Sequence, residues 1–318
     1  MGELLVEEQP LAPALLQLEG NPGAEWRNHS WPCNHEVVVP DGYTSAKDEA
    51  MHGTLENPVF HGKMAYKYPF QLDPFQSVSI TCLERNESML VSAHTSEGKR
   101  AITEYAIAMS LRETKNIIYA SPFKALSDQM YRELSMVFDS VGLMTDDVTL
   151  HPEARCLVMM TEILRARLCC GSMVFDVGWV VFDGIHCLDH PESGIVLEQS
   201  IIFLPPEIKM VFLSAPVSNA TEFAEWICKL HKQPCHAVST DFRSTPLEHY
   251  VFPVGGSEMH LIVDEDGQLR EDNFVKLQDT FTKQNNRFSG ENSSNSGIHF
   301  VGPSARLCSS EPLERPQL

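Results

Sequence analysis

Short apolar segments alternate with amphipathic segments over residues 66–254, and this alternation restricts the fold more than any other feature. The apolar segments have the length of buried strands: Met89–Ala93, Asn116–Ser121, Cys156–Met160, Trp179–Phe182 and Met210–Ser214. The segments between them carry apolar residues at helical spacing: Lys99–Glu113, Leu126–Ser140, Thr161–Gly171, Ser193–Leu204 and Asn219–Lys232. Strands and helices that alternate in this way form parallel sheets through right-handed crossovers. The sequence therefore predicts an α/β domain with a parallel sheet and helices on both faces.

The two ends of the chain differ from this middle part. The first 60 residues are rich in proline and acidic side chains, which predicts an extended arm with room for one short strand at Val37–Val39. After the α/β pattern, Tyr250–Val254 predicts a strand, and Leu261–Leu269 predicts a hairpin that turns at residues 264–267. From about Lys283 the chain is polar and predicts disorder. We therefore predict an acidic arm over residues 1–60, a folded domain with its hairpin over 61–282, and a disordered tail over 283–318.

Composition limits the classes of function. The chain has 24 Lys and Arg against 43 Asp and Glu, a net charge of −19, which argues against a broad basic surface for nucleic acid but leaves a narrow cleft open. No apolar run approaches the roughly 18 residues that a membrane helix needs, so no membrane partner is expected. Nine cysteines, an odd number without regular short spacing, fit a reducing, intracellular compartment.

A phosphate-binding loop is predicted between the strand that ends at Ser92 and the helix that begins at Lys99. Backbone amides of such a loop surround phosphates, the helix N-terminus adds its positive end, and Lys99 would meet the outer phosphates. The loop departs from the usual pattern where Arg100 replaces the Ser or Thr whose hydroxyl binds Mg²⁺, and where Ala93 replaces a glycine. A turn without a ligand is the alternative interpretation. The candidate nucleotide-binding residues of this loop are Ala93, His94, Thr95, Ser96, Glu97, Gly98, Lys99 and Arg100.

An acid at the end of the buried strand Trp179–Phe182 has the position of a second Mg²⁺-organising group. Asp183 follows this strand, and Gly184, Ile185 and His186 come next. Asp183-Gly184-Ile185-His186 resembles a DExH box in which glycine replaces the glutamate. Three further segments resemble helicase motifs Ia, Ib and III, in this order: Ser121–Leu126, Thr161–Leu164 and Ser214-Ala215-Pro216.

Longer segments make the resemblance more specific. Tyr68–Gln76, Val141–Thr145 and Glu222–His236 are similar to Ski2-like DExH-box RNA helicases, in particular the helicase associated with the nuclear exosome and its polyadenylation complex. The resemblance implies a RecA-like fold, ATP with Mg²⁺ as cofactors, RNA and components of those two complexes as partners, and a nuclear location. It also implies roles for individual residues: Phe70 and Gln76 at the adenine, Pro122, Lys124 and Thr161 at the RNA, Ser214 and Ala215 in coupling, and Asp183 in catalysis and at the metal.

Several positions depart from the family pattern where ATP hydrolysis needs them. Gly184 replaces the glutamate that orients water, Glu97 replaces a small residue beside the phosphates, and Pro216 removes a hydroxyl and a backbone donor. Asp146 replaces a glycine near the RNA, and the resemblance covers the first RecA-like domain, without the second RecA-like domain, winged helix, arch or helical bundle. Loss of one transition-state donor typically costs about 10²–10³ in rate. We therefore expect no ATP turnover and at most weak nucleotide and RNA binding, with Arg100 partly replacing the charge of the cation.

Two alternatives remain at this stage: a non-catalytic interaction protein, and a decayed duplicate without a role. Two further clusters have metal-like residue types, Cys228-x₂-His231-x₃-Cys235-His236 and His186-Cys187-x₂-His190. We interpret the first as a helix end that leads into a strand. For the second we likewise favour an interpretation without a bound metal.

Overall fold

The computed structural model describes residues 33–171, 176–243, 245–252 and 258–290, with the backbone alone over 282–290. The predicted arm up to residue 32 and the predicted tail from residue 291 lie outside the described residues. The chain divides into two compact units between residues 244 and 245.

The first unit is built on one nine-stranded sheet. Its spatial order is β1-β9-β2-β8-β7-β3-β6-β4-β5. The seven central strands pair in parallel, and only the edge strands β1 and β5 pair antiparallel with their neighbours. The strands are β1 Asn34–Val38, β2 Ser88–Ser92, β3 Asn116–Ser121, β4 Val141–Met144, β5 Thr149–Leu150, β6 Cys156–Met160, β7 Val177–Asp183, β8 Lys209–Ser214 and β9 Cys235–Ser239.

Helices cover both faces of this sheet, because successive side chains of a strand point to opposite faces. In β2, Met89 and Val91 pack into the core under α2, α3 and α4, whereas Leu90 packs into the core under α5, α6 and α7. The predicted α/β fold, a parallel sheet with helices on both faces, is thereby confirmed. The helices are α1 Glu49–His52, α2 Pro74–Glu84, α3 Lys99–Arg112, α4 Lys124–Ser135, α5 Thr161–Cys169, α6 Ser193–Phe203 and α7 Ala220–His231, with a 3₁₀ helix over Ile185–Asp189.

Strand β1 lies inside the segment that the sequence assigned to the acidic arm. It pairs antiparallel with β9, with His35 opposite Val238 and Val37 opposite His236. Neither strand has a continuous apolar run, since Asn34, His35 and Glu36 interrupt the pattern of β1 and His236 interrupts that of β9. Pairing between distant segments, rather than local sequence, therefore brings residues 34–38 into the domain.

The second unit contains a small antiparallel sheet and a helix. Strands β10 His249–Val251 and β11 His260–Val263 pair with each other. The predicted turn after β11 is confirmed, because Gly267 has a φ of 73° and the Asp264 carboxylate accepts hydrogen bonds from the backbone of Asp266 and Gln268. Helix α8 covers Glu271–Gly290 and so extends into the segment for which the sequence predicts disorder from residue 283. None of the helices in the described ranges has the length and apolar character that crossing a bilayer requires.

Candidate nucleotide-binding site

The ends of three neighbouring strands form the floor of the site. Strands β2, β8 and β7 are adjacent and parallel, so their carboxyl ends meet at one edge of the sheet. Ala93 donates its backbone N–H to Ser214 at 3.2 Å, and Gly184 donates its own to Leu213 at 3.0 Å. Ala93, Asp183 and Ser214 therefore lie at the same edge of the sheet. Open α/β sheets bind their ligands at this edge.

The loop between β2 and α3 is closed around the side chain of Lys99. The Lys99 ammonium donates to the backbone carbonyls of Ala93 at 2.6 Å and His94 at 2.8 Å. Burial lowers its pKa, while the carboxylates of Asp183 and Glu97 act in the opposite direction. A phosphate that enters the loop must therefore take over the hydrogen bonds that these two carbonyls now accept.

Gly98 ends the loop in a conformation that only glycine adopts easily. Its φ is 82°, and a Cβ at this position would lie 2.5 Å from Nε2 of Gln76. The Gln76 amide uses the space, because Nε2 donates to the Gly98 carbonyl at 3.1 Å and Oε1 accepts from the Asp73 backbone at 3.0 Å. The start of α2 and the phosphate loop are thereby joined through one side chain.

A cavity of about 430 Å³ opens beside this contact. The exposed ring of Phe70 forms one wall, and a volume in the range of small-molecule pockets leaves space for a purine base. Both residues expected at the adenine thus lie at the same cavity as the phosphate loop. The cavity is lined by Phe70, Gln76, Ser96, Glu97, Gly98 and Arg100, among others.

The guanidinium of Arg100 is paired with two carboxylates, one on α3 and one on α4. Its Nε donates to Glu104 at 2.8 Å, and its Nη1 donates to Glu133 of α4. From its position after Lys99, this guanidinium was predicted to replace part of the charge of a cation beside the phosphates. In the structure two negative side chains already compensate its charge.

Asp183 lies at the end of β7 and accepts a hydrogen bond from the phenol of Tyr119. Burial, and then the nearby Asp183 carboxylate, raise the pKa of Tyr119 well above its ordinary value, so this phenol is a neutral donor. The next residue, Gly184, has a φ of 98°, and a Cβ there would lie 3.5 Å from the Pro122 ring. Position 184 therefore offers no carboxylate and has a backbone that disfavours any other residue.

These residues fit a nucleotide base better than a magnesium triphosphate. Mg²⁺ sites in nucleotide-binding loops combine a hydroxyl and a carboxylate with phosphate oxygens. Here Arg100 stands at the hydroxyl position and is paired with glutamates, which leaves Asp183 as the one ligand of the predicted set. At the third strand end, the Ser214 hydroxyl is buried and finds no hydrogen-bond partner among the described residues.

The residues expected at the RNA have different environments. The Lys124 ammonium pairs with Asp147 at 2.6 Å and with Asp146 at 3.5 Å. The Asp147 hydrogen bond is the main cause of the raised pKa of Lys124. Thr161 is fully buried at the start of α5, where its carbonyl accepts a hydrogen bond from the Ser200 hydroxyl. Its side chain is therefore not accessible to an RNA strand bound at the surface. Pro122 is buried next to Gly184.

The metal-like clusters of the sequence do not assemble. His231 contacts the Ile201 carbonyl at 3.1 Å, whereas His236 contacts His35 of β1. His190 accepts from the backbone of its own turn. Within the described ranges, one group of histidine and cysteine side chains does converge, His35 with Cys82 and His236. Sequence reasoning missed it because α2 was not predicted as a helix and the predicted strand at Val37–Val39 did not include His35.

Comparison with known proteins supplies the family context. The DEAD/DEAH box helicase family matches residues 73–223. Over 82% of its length the chain is 64% identical to the DExH-box ATP-dependent RNA helicase DExH10 of Arabidopsis thaliana, over 83% it is 50% identical to the human exosome RNA helicase MTR4, and over 76% it is 54% identical to the ATP-dependent RNA helicase mtr4 of Schizosaccharomyces pombe. These matches cover 26%, 25% and 21% of the three relatives, so the chain spans about a quarter of their length.

Proposed function

Because residues 73–223 are a DEAD/DEAH box helicase domain similar to those of MTR4-like DExH RNA helicases, we propose that this domain binds nucleotide and RNA weakly and does not hydrolyse ATP. The observation that carries the proposal is Gly184, which follows Asp183 at the carboxyl end of β7 and carries no side chain.

Hydrolysis in this class depends on positioning and charge stabilisation. A carboxylate after Asp183 would orient the attacking water, and Gly184 has no side chain to do so. A hydroxyl after Lys99 would help to hold the metal, and Arg100 pairs with Glu104 and Glu133 instead. Since each such loss typically costs about 10²–10³ in rate, two independent losses bring turnover close to background.

Nucleotide binding would use the base cavity and the loop. The Phe70 ring and the Gln76 amide face the cavity, and Lys99 can exchange its two carbonyl acceptors for phosphate oxygens. The Glu97 carboxylate lines the same cavity and disfavours a highly charged triphosphate. We therefore infer that the base supplies most of the affinity.

RNA binding would be weak for an electrostatic reason. Lys124, the expected contact to the RNA backbone, is already paired with Asp147 and Asp146. A phosphate must compete with both carboxylates, and few phosphate contacts give a shallow dependence on salt. Similarity to MTR4 proteins supports components of the nuclear exosome and of the polyadenylation complex as partners, and the nucleus as location.

Two measurements on the purified full chain test the proposal. Nucleotide titration with and without Mg²⁺, compared with Lys99→Ala, should give weak binding that is nearly independent of Mg²⁺ and weaker still in the variant. ATP turnover with and without single-stranded RNA should stay at the background of Lys99→Ala. RNA-stimulated turnover that Lys99→Ala abolishes would overturn the proposal and identify an active ATPase.

A second candidate function is a non-catalytic interaction protein. The pairing of Lys124 with Asp147, together with the burial of Thr161, favours it because both reduce the surface available to RNA. Binding to recombinant exosome and polyadenylation-complex components distinguishes the two functions. Under the second candidate, Lys99→Ala and Lys124→Ala leave this binding unchanged, while nucleotide and RNA titrations of the parent chain show no binding.

A further inference from the structure

Three side chains that are far apart in the sequence converge between β1, α2 and β9. His35, Cys82 and His236 each direct one metal-ligand atom to a common point, and these atoms lie within 4.8 Å of one another. Cys82 and His236 are fully buried, and His35 is half-buried. The cluster lies on a different part of the sheet from Lys99 and Asp183, so the proposed function does not use it.

The outer ring nitrogens of both histidines face groups that can only accept hydrogen bonds. His236 Nε2 lies 2.9 Å from Oε2 of Glu87, and Arg85 donates to both oxygens of the same carboxylate at 2.7 Å and 3.2 Å. His35 Nδ1 lies 3.3 Å from the backbone carbonyl of Glu56. Each outer nitrogen must therefore carry the ring proton, because a carboxylate or carbonyl has none to donate.

The inner nitrogens are then left with lone pairs that face each other. In a neutral imidazole only one nitrogen bears a proton, so His35 Nε2 and His236 Nδ1 are both acceptors in this arrangement. They are 2.9 Å apart, a hydrogen-bond distance at which one of the two should be a donor. The Cys82 sulfur is 4.0 Å from His35 Nε2, and its single proton can serve one lone pair at most. With both rings neutral, the two inner nitrogens therefore present their lone pairs to each other, an arrangement that a bound cation stabilises.

We propose that His35, Cys82 and His236 form a zinc-binding site that joins β1 to α2 and β9. Two neutral imidazoles and one thiolate are a ligand set typical of zinc, and an outer carboxylate or carbonyl that fixes each histidine tautomer is the usual support of such ligands. Zinc binding would release the thiol proton of Cys82, as at other thiolate sites.

The distances are close to those of a tetrahedral site. Zinc–nitrogen bonds of about 2.0–2.1 Å and zinc–sulfur bonds of about 2.3 Å place two nitrogens about 3.3 Å apart and a nitrogen and a sulfur about 3.6 Å apart. The corresponding distances here are 2.9 Å and 4.0 Å, and all three ligand atoms lie within 4.8 Å of one another, so the two nitrogens must move slightly apart and the sulfur must move closer when the ion binds. Three protein ligands leave one position of the tetrahedron for a further ligand. Cys33 is two residues before His35 and packs against the same core as Cys82, so it is the nearest cysteine in sequence to this position.

Titration of the chelator-treated full chain with Co²⁺ and Zn²⁺ alone tests the proposal. We expect one equivalent of Co²⁺ to give the visible absorption of a tetrahedral thiolate site, Zn²⁺ to displace it, and Zn²⁺ to raise the thermal midpoint. Cys82→Ser and His236→Asn should lose this absorption and the stabilisation. Cys156→Ser, which changes another fully buried cysteine on β6, is the matched control and should keep both.

Cys82→Ser and His236→Asn change fully buried residues and risk misfolding. His35→Gln on the edge strand β1 is therefore a third variant, and circular dichroism checks that it folds. Loss of the Co²⁺ spectrum in folded His35→Gln supports the site. One equivalent bound equally by the parent chain, Cys82→Ser and His35→Gln would overturn it, as would the absence of saturable binding in the parent. Nitrogen-15 histidine spectra give a further check. A doubly protonated ring that Zn²⁺ does not perturb would show that a proton, rather than a metal ion, lies between His35 Nε2 and His236 Nδ1, and would overturn the site.

Discussion

Arg100 at the start of α3 donates a charge-assisted hydrogen bond to Glu133 of α4, so the residue that follows the loop lysine is turned towards a neighbouring helix. Glu104, one turn further along α3, accepts from the same guanidinium. The Arg100 side chain is 39% exposed, and ion pairs at such positions contribute about 0–1 kcal/mol. The pairing therefore has little effect on stability. Its main consequence is that the positive charge of Arg100 is compensated by carboxylates and is not available to phosphates in the nucleotide site.

Arg100→Thr should make nucleotide binding depend on Mg²⁺. The change places a hydroxyl where the loop can help to hold the ion beside Asp183 and removes the ion pairs with Glu104 and Glu133. We expect Mg²⁺ to tighten nucleotide binding about tenfold in the variant, or about 1.4 kcal/mol, and hardly at all in the parent chain. Titration with and without Mg²⁺ measures this.

Arg100→Val is the matched control, because it loses the same ion pairs and has nearly the shape of threonine without the hydroxyl. It should remain indifferent to Mg²⁺. A parent chain that depends on Mg²⁺ as strongly as Arg100→Thr would contradict the interpretation of Arg100.

Gly184→Glu should not restore ATP turnover. The φ of 98° at this position strains any residue with a Cβ, so we expect a loss of about 1–2 kcal/mol in the free energy of unfolding. Arg100 still occupies the hydroxyl position, so a carboxylate at 184 acts without a properly held metal. Gly184→Ala carries the same strain without the carboxylate, and turnover clearly higher in Gly184→Glu than in Gly184→Ala would show that this single group is what the site lacks.

The central strands were predictable because each is a short apolar run buried on both faces. The bounds of β3 and β6 agree with the sequence prediction at both ends. Only the end of β1 was predicted, at Val37–Val39, since Asn34, His35 and Glu36 carry no apolar pattern and form strand through their pairing with β9. Local patterns thus identify the middle of the sheet and miss its edge.

In the candidate site, too, local motifs were predictable from the sequence and long-range contacts were not. The phosphate loop and Asp183 were found because each is a local motif after a strand. Their partners were not, because Glu133 is 33 residues from Arg100 and Tyr119 is 64 residues from Asp183. Such contacts depend on how helices and strands pack, which no local pattern contains.

Lys99→Met should change how stability depends on pH. Burial lowers the pKa of Lys99 below its ordinary value of 10.5, so between the two values the unfolded chain binds more protons than the folded one. Stability of the parent therefore rises relative to the variant as pH increases towards 10.5. Urea unfolding of both proteins across alkaline pH measures the difference.

Lys124→Met is a control of opposite sign, because a hydrogen bond to Asp147 raises the pKa of Lys124 and its contribution is lost, rather than gained, at high pH. A difference between the parent and Lys99→Met that stays flat or falls with pH would contradict the buried environment of Lys99.

Asp147→Asn should strengthen RNA binding by removing the nearer of the two carboxylates that pair with Lys124. The hydrogen bond from Lys124 lowers the pKa of Asp147, so the carboxylate is ionised at neutral pH and competes with an RNA phosphate for the ammonium. Removing its charge should add about one phosphate contact, which increases the affinity for single-stranded RNA and steepens its dependence on log salt by about 0.7.

Asp139→Asn makes the same change in net charge at an exposed residue beyond α4 and should leave the salt slope unchanged. The double variant Asp147→Asn/Lys124→Ala should return to the parent slope, and a double variant that keeps the steeper slope would show that the RNA contacts a different cation.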